Sequence, residues 1–145
     1  MKKILIADDE RAFRELISAR LQATRCKILE ATTGTGVLLI IEKEGPFDAI
    51  LLDIMMSPGP QSQPHVKGFD CGLFVLRTLL QSHPETLPTI LVVTVRDDDK
   101  LTAALHDMHI QNWCTKSTDD VEQIAAKLMK IAGFFENQGD LTGEG

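Results

Sequence analysis

Five side chains with reactive or metal-binding groups each follow a short apolar segment of the sequence. They are Asp8, Asp9, Asp53, Thr94 and Lys116. If the apolar segments are parallel β-strands, all five lie at the carboxyl ends of strands, where open parallel sheets place their ligand sites. The sequence therefore predicts one crevice that contains three carboxylates, a hydroxyl group and an ammonium group.

These groups suit the transfer of a phosphoryl group to a carboxylate. Three carboxylates in one crevice repel one another and raise one another's pKa unless a cation lies between them. Mg²⁺ (or Mn²⁺) fits such a site, because these ions prefer oxygen ligands. A carboxylate can be the nucleophile that forms an aspartyl phosphate. The transferred group spreads negative charge over three oxygens, and Thr94 and Lys116 offer the hydroxyl and the ammonium that would stabilise it.

The strands that would position these residues alternate with helices. Apolar runs predict strands at residues 4–7, 26–31, 49–52, 89–93 and 110–115. Helical spacing of apolar residues predicts helices at about 10–23, from 33 to 45, around 73–80, from 97 or 98 to 108, and at about 119–135. This alternation predicts an α/β fold with a five-stranded parallel sheet that is covered by helices on both faces.

The chain of 145 residues has the size of one domain, which we predict at residues 1–135. One stretch is irregular: residues 57–68 contain three prolines and two glycines. They predict a long loop, within about 54–69, between the third strand and the third helix. Residues 136–145 are polar and glycine-rich, which predicts a disordered tail.

Composition excludes several classes of protein. A net charge of −6 without clustered Lys and Arg argues against direct binding to nucleic acid. The three cysteines lack CxxC spacing, which argues against a zinc site or a disulfide framework and favours a reducing compartment. No apolar window approaches the length of a signal peptide or a membrane span, so we expect a cytoplasmic protein with no membrane partner.

In four segments the sequence resembles the response-regulator receiver family of two-component signalling. The matching segments are ILIADDE at 4–10, ILLDIMM at 50–56, VVT at 92–94 and WCTK at 113–116. The resemblance covers roughly residues 1–135 and implies a flavodoxin-like (βα)5 fold with a doubly wound sheet. No single segment is specific to the family, but their order at successive strand ends makes the resemblance strong.

The resemblance implies a role for each residue of the crevice. Asp53 resembles the family's phosphorylation site. Asp8 and Asp9 resemble the acidic pair that binds Mg²⁺ (or Mn²⁺) together with Asp53, and the Met55 backbone carbonyl resembles a further metal ligand.

The resemblance also implies how phosphorylation would be transmitted. Lys116 resembles the lysine that pairs with the phosphoryl group, and Thr94 the hydroxyl that moves toward it. Trp113 stands where the family has an aromatic side chain that changes rotamer. Coupled movement of Thr94 and Trp113 would alter the face formed by the fourth helix, the fifth strand and the fifth helix.

Three features depart from the family's pattern. Gly72 lies well beyond the usual spacing after Asp53, so the intervening loop is enlarged by roughly ten residues. This loop either partly covers the site or recognises a partner, or it is a tolerated surface insertion. Ser117 replaces the proline that follows the lysine, which leaves open whether the Lys116–Ser117 bond is cis or trans. Val95 replaces a small residue, and its branched side chain would narrow access to Asp53.

We therefore expect a phosphoacceptor and not an enzyme, with at most slow autodephosphorylation. Its expected partners are a sensor histidine kinase or phosphotransfer protein and a downstream protein effector, or an output domain of its own in a longer protein. The fourth helix and Trp113 leave room for a phosphorylation-dependent homodimer. One alternative is a degenerate receiver that binds a partner without phosphorylation. A phosphohydrolase with an aspartyl nucleophile fits less well. That class of enzyme places a second Asp two residues after the nucleophile, and here Glu10 stands two residues after Asp8.

Overall fold

The protein forms one parallel β-sheet in the computed structural model, which describes residues 1–57, 59, 71–95, 99–116 and 121–134. The strands are β1 (Lys2–Ala7), β2 (Cys26–Ala31), β3 (Ala49–Asp53), β4 (Ile90–Thr94) and β5 (Asn112–Thr115). Their order across the sheet is β2-β1-β3-β4-β5, and every pair is parallel. This order reverses direction at β1, which places a crevice between β1 and β3 at the carboxyl edge.

A helix follows each strand. The helices are α1 (Arg11–Leu21), α2 (Gly34–Glu44), α3 (Cys71–Ser82), α4 (Asp99–Asp107) and α5 (Val121–Ile131). A short 3₁₀ helix, Pro84–Thr89, lies between α3 and β4. The α2 helix begins directly after Thr33, in agreement with the predicted start at 33. The Thr33 hydroxyl caps the helix by accepting a hydrogen bond from the Gly36 amide at 3.0 Å.

Two hydrophobic cores lie on the two faces of the sheet. The α1–α5 core includes Phe13, Ile17, Leu21, Ile124 and Leu128. The core beneath α2, α3 and α4 includes Val37, Ile41, Leu76, Leu79 and Leu105. Every residue of β3 and β4 is buried. Burial on both faces explains why these central strands are continuous apolar runs.

The predicted single-domain α/β architecture is confirmed, and the differences concern the ends of elements. Thr89 belongs to the 3₁₀ helix and not to β4, and its hydroxyl donates to the Thr86 carbonyl at 2.6 Å. The strand β5 begins at Asn112, two residues later than predicted, after His109 adopts a positive φ of 59°. Leu80, at the end of the range predicted from apolar spacing, is 39% exposed, and Val75 within that range is buried.

Several predictions lie outside the described residues. They concern most of the loop at 54–69, the Lys116–Ser117 bond and the tail at 136–145. Among the described residues, no helix has both the length and the apolar character that crossing a membrane requires.

Candidate functional site

The carboxyl edge of the sheet brings the predicted acidic residues together. Asp8 and Asp9 follow β1 directly, and Asp53 is the last residue of β3. One carboxylate oxygen from each of the three lies within 4.8 Å of the others. Lys116 follows β5 and extends its ammonium group into the same cluster, 2.8 Å from Asp8 Oδ2. The predicted convergence of these four side chains is therefore present in the structure.

Asp8 is fixed by backbone hydrogen bonds at the turn between β1 and α1. Its amide donates to the Ala31 carbonyl at 3.0 Å, which continues the ladder with β2. Its Oδ1 accepts from the Glu10 amide at 2.8 Å, and its carbonyl accepts from Arg14 Nη1 at 2.9 Å. The side chain is fully buried, so the Asp8 carboxylate points into the crevice from a rigid position.

Asp53 is nearly buried, with 5% of its surface exposed. Its Oδ1 accepts a hydrogen bond from the Met55 amide at 3.0 Å, and its Oδ2 lies 3.7 Å from Lys116 Nζ. Burial, and after it the charge of Asp8, raises the pKa of Asp53 to about 6, against the opposing effects of Lys116 and the Met55 amide. The two Asp53 oxygens thus have different surroundings, one bound to backbone and one facing the cluster.

Among the residues that the structure describes, the Lys116 ammonium contacts three acids of the crevice: Asp8, Glu10 and Asp53. Its Nζ lies 3.6 Å from Glu10 Oε1, in addition to the contacts with Asp8 and Asp53. Burial alone lowers the pKa of Lys116, but the contact with Asp8 and the charges of Asp53 and Glu10 outweigh it, so the pKa is raised. The amine is therefore positively charged at neutral pH.

The acidic cluster fits a divalent cation. Among the described residues, Asp8 Oδ2 is buried and accepts no hydrogen bond of acceptable geometry, although the Lys116 ammonium lies beside it. Asp9 is exposed, which leaves one side of the cluster open to water. Mg²⁺ and Mn²⁺ bind a few carboxylates and retain waters, so Asp8, Asp9 and Asp53 suit either ion.

Thr94 and Trp113 occupy β4 and β5 as predicted. Thr94 is fully buried, one position beyond Val93, the residue opposite Asp53 in the sheet. Its carbonyl accepts from the Lys116 amide at 2.9 Å, which ties the ends of β4 and β5 together. Trp113 is half-buried and packs against the core beneath α2, α3 and α4. The roles of both residues in switching stay predictions.

Val95 and Met55 lie at the rim of the crevice. The Val95 side chain is 56% exposed, directly after Thr94, and Met55 is 36% exposed. The predicted effect of Val95 on access to Asp53 also stays a prediction, as does metal binding by the Met55 carbonyl.

The segment after β3 is fastened to the start of α2. The Ser57 carbonyl accepts from the Gly34 amide at 2.9 Å and from Cys71 Sγ at 3.6 Å. Cys71 begins α3 and is fully buried, and this burial raises the pKa of its thiol to about 11. A buried thiol with this pKa is protonated and unreactive near neutral pH.

Three residues of the site were not identified from the sequence. Glu10, Phe13 and Arg14 follow the acidic pair on the way into α1 and contact Lys116 or the Asp8 carbonyl. Their only sequence signal is their position within the first turn after Asp9. Phe13 was assigned to the helix by its apolar spacing, which gives no information on its contact with Lys116.

Comparisons with known proteins agree on one family. A family model described as the response regulator receiver domain matches residues 4–128. A segment of 55 residues is 40% identical to a protein of Galdieria sulphuraria described as a probable transcriptional regulator, ycf27. This match covers 38% of the present chain and 21% of that relative, so the chain spans about a fifth of the curated relative's length.

Solved structures agree on the fold. A CheY-like receiver domain protein from Methanospirillum hungatei superimposes with a TM-score of 0.72 at 20% identity, over 96% of this chain and 99% of that one. The Mn²⁺-bound form of the response regulator Rcp1 superimposes with a TM-score of 0.64 at 21% identity, over 94% of this chain and 92% of that one. At these identities the similarity establishes the fold and no further property.

Proposed function

The chain belongs to the response regulator receiver domain family, and from this premise we propose that Asp53 accepts a phosphoryl group from a histidine kinase or phosphotransfer protein. The observation that carries the proposal is the cluster at the carboxyl edge. Oxygens of Asp8, Asp9 and Asp53 lie within 4.8 Å of one another, and the Lys116 ammonium is 3.7 Å from Asp53 Oδ2.

The two oxygens of Asp53 have distinct tasks in this proposal. Oδ1 is held by the Met55 amide, which fixes the carboxylate plane. Oδ2 faces the cluster and attacks phosphorus. A P–O bond forms while the P–N bond to the donor's histidine breaks, and its electron pair returns to the imidazole nitrogen. Because the carboxylate is fixed, Oδ2 is already positioned for the attack. Positioning of the reacting groups is a main source of catalysis in phosphoryl transfer.

Lys116 and Thr94 stabilise the transferred group. The Lys116 ammonium lies 3.7 Å from Asp53 Oδ2, so it can contact a phosphoryl group attached to that oxygen. The raised pKa of Lys116 keeps the ammonium charged. Thr94 follows the residue opposite Asp53 and offers a hydroxyl. Because the crevice is largely buried, these interactions act in a medium of low effective dielectric and are stronger than in water.

Asp8, Asp9, Asp53 and the Met55 carbonyl would hold Mg²⁺ (or Mn²⁺), which supplies positive charge against the three carboxylates and the phosphoryl oxygens. Rcp1, which shares the fold, has been solved in a Mn²⁺-bound form.

Phosphorylation is then read by a partner. Movement of Thr94 toward the phosphoryl group, followed by Trp113, changes the surface formed by α4, β5 and α5. The output is a downstream protein effector or an output domain of a longer protein, and the transcriptional regulators among the relatives favour control of transcription. A homodimer that forms on phosphorylation through α4 and Trp113 is a further part of the proposal.

The proposal is tested by incubating the protein with acetyl phosphate and Mg²⁺ and recording the intact mass. We expect the mass of one added phosphoryl group, absent in Asp53→Asn and absent with EDTA. Asp107→Asn, which changes an exposed acid on α4, is the matched control and should still be phosphorylated. No gain at any Mg²⁺ concentration would favour a degenerate receiver that binds partners without phosphorylation. Val95→Ala would then show whether access to Asp53 is the obstacle.

A further inference from the structure

The ammonium group of Lys116 lies over the face of an aromatic ring. Its Nζ is 4.3 Å from the centroid of Phe13, within the distance at which a cation is attracted to an aromatic face. Phe13 lies on the first turn of α1, and only 7% of its surface is exposed. Its neighbours in the α1–α5 core hold the ring rigidly, so it presents a fixed surface to the ammonium.

The charged groups that the described part of the chain places around the ammonium are carboxylates. Asp8 Oδ2 is at 2.8 Å, Glu10 Oε1 at 3.6 Å and Asp53 Oδ2 at 3.7 Å. A carboxylate that binds a lysine also cancels its charge, and Asp8 therefore competes with Asp53 for the ammonium. An aromatic ring attracts a cation through its quadrupole and carries no net charge. The ring can thus hold the ammonium in place and leave its positive charge available.

We infer that Phe13 is a positioning residue for phosphoryl transfer, which holds the Lys116 ammonium within reach of the phosphoryl group on Asp53. The inference rests on the proposed function of Asp53 and adds a residue that acts through Lys116 alone. Phe13 does not touch the reacting atoms in this scheme. Its contribution is to restrict a long, flexible side chain to one place, which lowers the entropy lost when Lys116 binds the phosphoryl group.

Burial of Phe13 has a simpler explanation, which the test must separate from this one. Phe13, Ile17 and Leu21 form the inner side of α1, and any large apolar residue would fill that position. Phe47 offers a matched control in the opposite core. It is also 7% exposed, and its ring lies 5.7 Å from Lys3 Nζ, away from the crevice. Substitution of either ring by leucine removes a similar volume from a core.

The experiment compares Phe13→Leu, Phe13→Tyr and Phe47→Leu with the wild type in two measurements. The first is the rate of phosphorylation by acetyl phosphate with Mg²⁺, under conditions where circular dichroism shows each variant folded. We expect Phe13→Leu to react roughly three- to tenfold more slowly, the size of one modest cation–π contact. Phe13→Tyr retains the aromatic face and should react like the wild type, as should Phe47→Leu.

The second measurement is the NMR chemical shift of the Lys116 ε-methylene protons without phosphodonor. The Phe13 ring current should move these protons upfield in the wild type, in Phe13→Tyr and in Phe47→Leu, and the shift should disappear in Phe13→Leu. The inference is overturned if Phe13→Leu reacts at the wild-type rate, if Phe47→Leu is slowed equally, or if the wild type shows no upfield shift. A wild type that shows the shift but takes no phosphoryl group would instead refute the proposed function of Asp53.

Discussion

A carboxylate that is nearly buried beside a second carboxylate is difficult to ionise, and Asp53 is in this position. Burial and Asp8 raise its pKa from 3.8 to about 6. The folded chain therefore keeps the Asp53 proton at pH values where the unfolded chain has released it. By linkage, the stability of the fold decreases as the pH rises from about 4 to about 6 and stays reduced above that. Asp53, the proposed phosphoacceptor, therefore lowers the stability of the fold when it is ionised.

Asp53→Asn should remove this penalty. Without divalent metal at pH 8, we expect the variant to be more stable than the wild type by about 3 kcal/mol, since the pKa of Asp53 rises from 3.8 to about 6 and one pKa unit corresponds to about 1.4 kcal/mol. The difference should shrink below pH 6 and vanish only near pH 3, below the unfolded pKa of 3.8, where Asp53 is largely protonated in both states. Urea titrations in EDTA at several pH values measure it. A variant no more stable than the wild type at pH 8 would contradict the expected burial cost.

At the scale of elements, the sequence was most informative where burial is complete. Every residue of β3 is buried, so its apolar run stops only where Asp53 begins the site. The same reasoning located Asp8 and Asp9 after β1 and Thr94 at the end of β4. It failed where apolar residues are buried in the core but do not belong to a strand. Ile110 is buried just before β5 and was therefore included in that strand.

Contacts between elements could not be predicted in this way. Phe13 meets Lys116 because the first turn of α1 lies beside the residue that follows β5, and the rotation of α1 about its axis decides which residue of that turn faces the ammonium. Non-local packing sets that rotation. The residue types of the crevice and their strand ends were accessible from the sequence, whereas the contacts of Glu10, Phe13 and Arg14 required the structure.

The start of α2 depends on a cap that can be removed alone. The Thr33 side chain accepts from the Gly36 amide, so Thr33→Ala should lower the free energy of unfolding by about 1 kcal/mol. Thr33→Ser retains the hydroxyl and should lose much less. Thr32→Ala changes the exposed neighbouring threonine and serves as the control. Chemical denaturation at pH 7 provides the measurement. Equal losses in Thr33→Ala and Thr32→Ala would show that the cap contributes nothing.

At the scale of the whole molecule, a net charge of −6 is concentrated in part at one edge of the sheet. Lys116 offsets some of this repulsion, but a single ammonium cannot neutralise Asp8, Asp9 and Asp53 together. A ligand that binds only the folded state stabilises the entire cooperative unit. Stability of the full domain should therefore report occupancy of the acidic cluster.

Mg²⁺ should raise the melting temperature of the wild type. At ten times its dissociation constant the gain is about 1.4 kcal/mol, or roughly 4 °C for a domain of this size. Asp9→Asn should lose most of this rise, because it removes the exposed ligand of the cluster. Asp107→Asn should retain it. Differential scanning calorimetry at a series of Mg²⁺ concentrations, in Ca²⁺-free buffer, measures the melting temperatures. Equal rises in all three proteins would place the bound ion elsewhere.

The hydrogen bonds that join Ser57 to Gly34 and Cys71 have a consequence for engineering. The chain departs at Ser57 and returns at Cys71, and these two residues are in contact. Lengthening a segment whose ends are already joined costs entropy only as the logarithm of its length. A fluorescent reporter spliced between them would leave the sheet undisturbed. The charge of Asp53 contributes to the raised pKa of Cys71, so such a reporter would be attached at the side of the sheet that carries Asp53.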